Sequence, residues 1–304
     1  MHFFQKRDWR RFFSKLYKKV MEETELFGMA AQIAFFLSSS LFPLLFFLIS
    51  LLGLILESTS GFQAELYSYI AQIMPPSAYR LVRDTLDEVV ANSSGGKLTF
   101  GLLITLWTAS AGVDSIRAGL NSVYEQRESR AWWWTKLQSL LLTLLFIVLI
   151  AITLVVVAAG WQLVQLGFNR LGVEVTSPLI LVGIQWLTVL LVLLFVTAVI
   201  YSVLPCFKKF KWVWISPGAI VAIILWLTLT NGFKVYLQYF DSYNKTYGSL
   251  GAMIILMLWM YLSGVAILIG GSINSVLTEM SEEDKEEGDV ARLIEDNDTA
   301  ASSK

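Results

Sequence analysis

Tyr247-Gly-Ser-Leu-Gly-Ala-Met-Ile-Ile-Leu-Met-Leu-Trp-Met-Tyr-Leu-Ser-Gly-Val-Ala-Ile-Leu-Ile-Gly-Gly-Ser-Ile-Asn274 decides the fold class. No charged residue lies between Lys245 and Glu279. A helix rises about 1.5 Å per residue, and roughly 20 apolar residues cross the hydrocarbon of a bilayer. This stretch exceeds that length and reads as a tilted membrane span. Its small residues, among them Gly251, Ser263, Gly264, Gly270, Gly271 and Ser275, mark faces where a second backbone approaches. Lipid supplies little hydrophobic drive between helices, so close packing has to supply it.

Composition extends that reading to the rest of the chain. Of 304 residues, 56% are apolar and only 15% are charged, and mean hydropathy is +0.62. Soluble domains carry about 25% charged residues. The apolar stretches are long and continuous rather than alternating, which disfavours barrel strands and points to helices that satisfy their own backbone. The expected fold is therefore all-α: a polytopic membrane protein of six transmembrane helices with amphipathic surface helices. The single Cys206 permits no internal disulfide, and the single histidine, His2, argues against a His-based metal site or a Ser-His-Asp triad. No apolar signal-peptide core precedes the first span, which is expected to serve as its own membrane signal.

Working outward, the spans fall at about 29–56, 98–113, 137–160, 178–204, 215–237 and 248–277. Residues 1–28 form a basic amphipathic helix. Lys6, Arg7, Arg10, Arg11, Lys15, Lys18 and Lys19 accompany an apolar stripe of Trp9, Phe12, Phe13, Leu16, Tyr17 and Val20. Such a helix lies in the membrane interface, and its stripe argues against nucleic-acid binding. Residues 57–97 read as an amphipathic helical hairpin outside the bundle, broken by Pro75-Pro76. Residues 278–304 hold ten acidic residues against Lys285, Arg292 and Lys304, and read as a disordered, solvated tail. Six spans put both termini on one side. That side carries most of the 23 Lys and Arg residues, whereas only Arg80, Arg83, Lys97, Arg170 and Lys245 fall on the other. Positive charge prefers the cytoplasm, so both termini are expected there.

A few polar groups sit at depth. The first span holds Gln32, Ser38, Ser39, Ser40 and Pro43; proline frees a carbonyl one turn earlier and kinks the helix, and hydroxyls re-satisfy the freed groups. Beyond the second span, Asp114 and Arg117 are spaced to pair, and Arg117, Asn121 and Tyr124 share one helical face. Gln185 lies in the fourth span, Lys234 in the fifth, and Tyr247 and Asn274 in the sixth. Ionisable groups near a membrane core are costly unless paired or wet, which makes them functional candidates. Each also has a plain structural reading: a packed kink, a helix-end ion pair, a snorkelling lysine.

Four blocks resemble the YihY / virulence factor BrkB family of bacterial inner-membrane proteins, over about residues 20–277. They are Ala30 to Pro43, ending Ser-Leu-Phe-Pro; Leu106 to Val113 with Arg117, Asn121 and Tyr124; Tyr201 to Pro205; and Tyr247 to Ala252 with Gly270 to Asn274. Two positions depart from the family pattern: Ser272 stands where relatives often have glutamate, and Ala111 where they often have Arg or Asn. The resemblance implies an envelope-related solute or lipid as substrate. The family's former ribonuclease label lacks support in the residues, since metal-dependent nucleases need clustered carboxylates or histidines.

The expected function is that of a transporter or exporter, with Gln32, Ser38, Ser39, Pro43, Asp114, Arg117, Asn121, Gln185, Lys234, Tyr247 and Asn274 as a candidate path or polar core. The alternative is a scaffold without a substrate, and an enzyme is the weakest reading. A transporter predicts a wet cavity lined by these groups, whereas a scaffold predicts that they satisfy one another. Membrane lipids and a small solute are the expected partners, with a homo-oligomer left open. No nucleic acid, cofactor or metal is expected.

Overall fold

The computed structural model describes residues 6–56, 96–169, 178–207, 212–239 and 249–302. The described residues form helices: α1 (Lys6–Lys18), a five-residue π-turn (Lys19–Glu23), α2 (Leu26–Leu56), α3 (Gly96–Ala109), α4 (Ala111–Val123), α5 (Trp132–Asn169), α6 (Pro178–Val203), α7 (Pro217–Tyr239) and α8 (Ser249–Ser302). The all-helical, polytopic expectation holds. Among the described residues, four stretches are long and apolar enough to cross a membrane: Trp132–Thr153, Val182–Val203, Pro217–Tyr236 and Met253–Glu286. These helices are apolar on the outside as well: Leu141, Trp186, Leu190, Ile224 and Ile254 are exposed, as expected where lipid is the solvent. The hairpin expected over 57–97 lies almost wholly outside the described residues.

Three expectations need correction. The second span is interrupted at Ser110 instead of running unbroken to about residue 113. The helix of the third span continues to Asn169, because Trp161-Gln-Leu-Val-Gln-Leu contains no proline or glycine to stop it. The last helix likewise does not yield to a disordered tail but runs to Ser302. Glu, Lys and Ala are good helix formers, and the first turns of the acidic segment meet cations of α1. Pro43 lies inside α2 without ending it.

The chain divides into two compact units. The first comprises Met1–Ala34, Ile116–Ser129 and Leu193–Lys304; the second comprises Phe35–Ser115 and Arg130–Val192. In the first unit α7 and α8 pack most extensively. Gly218 meets Gly270, Trp226 Nε1 donates to Ser263 Oγ at 3.0 Å, and Trp259 Nε1 donates to Thr230 Oγ1 at 3.4 Å. As the α7 number rises the α8 number falls, so the two helices are antiparallel. Glycines also let α8 approach α4 and α2: a Cβ at Gly271 would lie 2.8 Å from Leu120, and one at Gly264 would lie 3.2 Å from the Ala30 carbonyl oxygen. α1 packs on α8 through Phe12, buried with Ile273, Val276 and Met280. The second unit is organised around the α3–α4 interruption, which α2 and α5 flank.

Candidate functional site

In the second unit the helix is interrupted for one residue, Ser110, with i→i−4 bonds kept on either side: Ser110 N–H reaches the Leu106 carbonyl and Asp114 N–H that of Ser110, each at 3.0 Å. Ser110 Oγ donates to the Trp107 carbonyl at 2.7 Å, and Ser115 Oγ donates to the Gly112 carbonyl at 2.7 Å. The Gly112 N–H donates to Ser40 Oγ on α2 at 3.0 Å. A side chain inserted into a helix ladder is a recognised cause of a break. One turn on, Asp114 accepts from Lys136 Nζ at 2.9 Å and from Ser139 Oγ at 2.6 Å, both on α5. Lys136 Nζ also lies 4.7 Å above the centre of the Trp107 ring and donates to the Trp107 carbonyl at 3.3 Å. Trp107 lies 5.9 Å from Trp132 between ring centres, and both are exposed with Trp133 and Trp134, the grouping expected of an aromatic belt. Ser38, two residues before Ser40, is buried, and its hydroxyl has no hydrogen-bond partner among the described residues.

In the first unit a polar cap closes one end of the helices. Asn121, 7% exposed, accepts from the Cys206 N–H at 2.8 Å and donates to Glu128 Oε2 at 3.0 Å. It thereby ties α4 to the turn after α6. Asn274 accepts from the Gly218 N–H at 2.9 Å, donates to Ser216 Oγ at 2.9 Å and hydrogen-bonds Tyr124. It satisfies one of the four N–H groups left open at the start of α7. Burial pushes the Tyr124 phenol up to about 12, against a smaller lowering by Asn274, so Tyr124 stays a neutral hydrogen-bonding group at physiological pH.

Above this cap sits a buried cation. Lys19 is 2% exposed; its ammonium bonds Glu125 Oε1 at 2.9 Å and also Glu279 Oε1. Burial pulls the Lys19 ammonium down, but the hydrogen bonds and charges of Glu279 and Glu125 outweigh it and hold the group above its ordinary 10.5. Glu125 ends α4 in a Schellman arrangement: Gln126 N–H reaches the Asn121 carbonyl at 2.7 Å and Glu125 N–H reaches that of Ser122 at 3.0 Å. Its φ is +53°, where glycine is the usual occupant and other residues are strained by about 1 kcal/mol. A glutamate at that position supplies a carboxylate to Lys19. Farther along α8, Glu283 takes Arg11 and Lys15, each at 2.5 Å. Lys15 foremost, with Arg11, holds the Glu283 carboxyl below its ordinary 4.5. An open depression of about 560 Å³, lined by Thr24, Asn121, Ser122, Glu125, Gln126 and Arg127, adjoins the cap.

The structure thus joins some expected residues and separates others. Asn121, Tyr124 and Asn274 meet in the cap, and Arg117 is buried in the same unit. Asp114 pairs with Lys136 and Ser139 of α5. Gln32, Ser39 and Lys234 lie on exposed helix surface and Gln185 is half-buried. Tyr247 lies outside the described residues. Ser40 was named among the polar groups of the first span but not as a path candidate, and Lys136, Ser139 and the Lys19 triad were not candidates. A signal for the triad was present: Arg11, Lys15 and Lys19 recur every four residues, as do Glu279 and Glu283.

Comparison with known proteins fits this architecture. The profile of the family described as virulence factor BrkB matches residues 18–294. The chain belongs to that family. It is 34% identical over 248 residues, covering 82% of this chain and 88% of the relative, to the putative ribonuclease-like protein YfkH of Bacillus subtilis. It is 24% identical over 286 residues, covering 89% and 97%, to a UPF0761 membrane protein of Haemophilus influenzae. A UPF0761 membrane protein of Xanthomonas oryzae is 49% identical over 59 residues, which is 14% of that relative, so this likeness is local. No solved structure matches. The UPF0761 relatives are membrane proteins by name, and the family resemblance read from the four sequence blocks is borne out.

Proposed function

We propose that the chain is a multi-pass protein of a bacterial cytoplasmic membrane that moves a small solute or an envelope lipid component and performs no catalysis. The observation that carries this reading is the broken helix at Ser110. Its Gly112 amide is given to Ser40 of the proline-containing α2, beside the Asp114–Lys136–Ser139 cluster. Interrupted membrane helices around polar groups are a common way to build a transport site. Two cytoplasmic termini are supported by the pairing of α1 with the end of α8 and by the charge distribution. Among the described residues no three of His, Cys, Asp and Glu cluster as a metal site would require, which gives the ribonuclease reading no support here.

One observation favours the scaffold reading instead. Asp114, Asn121 and Asn274 are satisfied by neighbours, and the depression touches Asn121 alone of the candidate residues. The two readings part in reconstituted vesicles assayed with a fluorescent-headgroup phospholipid and a radiolabelled amino-acid osmolyte. Transport predicts protein-dependent movement of one probe, lowered at least tenfold by Asp114→Asn, the order expected from losing an interaction of about 1.4 kcal/mol or more. Movement of neither probe, with Asp114→Asn altering thermal stability alone, would favour the scaffold.

A further inference from the structure

α1 has two faces with different occupants. The inward face is taken by protein: Phe12 is in the core cluster with Leu16 against it, and Arg11 and Lys15 are held by Glu283. The outward face carries Trp9, Phe13 and Tyr17, 45%, 58% and 62% exposed, and the π-turn adds Met21 at 55%. These recur every four residues, so they form one stripe. Arg10 and Lys18 lie exposed beside it. Trp9 and Phe13 stack at 5.7 Å between ring centres, and exposed Tyr17 follows one turn on. Exposed aromatics in a row are costly in water and mark an interaction surface.

The chain fixes where that surface lies. α1 runs through the π-turn and Thr24-Glu25 directly into α2, whose first residues are apolar and enter the membrane. Phe12 also packs on Ile273 and Val276, near the end of the apolar part of α8. α1 is therefore pinned at the level where two membrane helices leave the lipid. At that depth an aromatic stripe bordered by cations matches the headgroup layer of an anionic leaflet: rings at the acyl boundary, Arg10 and Lys18 among the phosphates.

We infer that the Trp9–Phe13–Tyr17–Met21 face of α1 is a binding surface for anionic phospholipid. The inward carboxylate clamp of Glu283 holds the helix while lipid takes the outer side. This divides the apolar stripe seen in the sequence: Phe12 and Leu16 serve the protein, and Trp9, Phe13 and Tyr17 serve the lipid. The inference does not depend on whether the protein transports anything.

The test uses the full chain with Cys206→Ser and a nitroxide at Phe13→Cys. The protein is reconstituted in vesicles of phosphatidylcholine alone or with phosphatidylglycerol. The expected spectrum shows a label more accessible to oxygen than to a water-soluble nickel chelate, and more so with phosphatidylglycerol. Arg10→Gln with Lys18→Gln is expected to abolish the dependence on lipid charge. Tyr17→Cys gives the same readout should the Phe13 variant not fold, and Phe12→Cys should be shielded from both reagents. A label more accessible to the chelate in both vesicles would overturn the inference. So would one shielded from both reagents, which would mean that protein, such as a second copy of the chain, covers the face. Indifference to lipid charge would overturn the anionic assignment.

Discussion

Gly218→Ala is expected to cost about 3 kcal/mol or more of stability, read as a large fall in melting temperature in detergent. Its Cβ would fall on the Gly270 carbonyl oxygen itself and lie 2.6 Å from the Asn274 amide. A backbone oxygen on a packed helix has nowhere to swing. α7 and α8 would have to separate, and the Gly218 N–H would lose Asn274 Oδ1, now at 2.9 Å. Gly270→Ala is expected to do the same from the other side: its Cβ would strike the Tyr201 hydroxyl and lie 2.6 Å from the Gly218 carbonyl oxygen. That hydroxyl donates to the Ile267 carbonyl at 2.8 Å, so a third helix would shift as well. Gly232 provides the control on the same helix as Gly218, since nothing lies within 4 Å of the Cβ it would gain. Gly232→Ala is expected to be neutral, or stabilising by up to about 1 kcal/mol through helix propensity. Equal effects at Gly218 and Gly232 would refute the close approach of α7 and α8.

Removing both carboxylates from Lys19, with Glu125→Gln and Glu279→Gln together, is expected to destabilise the protein more than removing the lysine. The asymmetry follows from solvent access. The Lys19 side chain is 2% exposed, whereas Glu125 is 66% and Glu279 is 42% exposed. An orphaned carboxylate at those positions finds water; an orphaned ammonium does not, and must either shed its proton or carry its desolvation penalty. The double variant is expected to lose about 3 kcal/mol and Lys19→Met about 1 kcal/mol, discounted for the exposure of its partners. Equilibrium unfolding of the three proteins measures both. The reverse order would mean that the lysine is wet.

The same charges set the pH range. Lys19 is raised, so its contribution is complete below 10.5 and is lost as pH climbs through its folded value. Glu283 is lowered, so its contribution is complete above 4.5 and is lost as pH falls through its folded value. The contact of α1 with α8 should accordingly hold across neutral pH and loosen at both extremes.

Much of this fold was legible because lipid imposes a simple rule. Long uncharged stretches have to be helices, and the apolar runs of 182–203 and 253–278 are helical. The break at Ser110 was not legible. Ser110 and Gly112 are tolerated in membrane helices, and only Ser40, 72 residues away, reveals that the Gly112 amide has a partner on another helix. The acidic segment after Thr278 misled for a related reason. Its composition lacks an apolar face, yet its order comes from Arg11 and Lys15, more than 260 residues away. Of the candidate site, Asn121 and Asn274 were singled out because polar groups near a membrane core are costly unless paired or wet. Gln32 and Lys234 were chosen on the same ground, but they lie on exposed helix surface. Helical phase could have separated these pairs only with the packed faces already known.

The central claim is that the polar break among the membrane helices opens to water during a transport cycle. It is tested most directly by the reaction of Ser38→Cys, in a Cys206→Ser background, with a membrane-impermeant thiol reagent in sealed vesicles. Ser38 is buried in the structure described here, so the account predicts slow labelling that proceeds to completion in the native protein. Labelling that never occurs until the protein is denatured would contradict it.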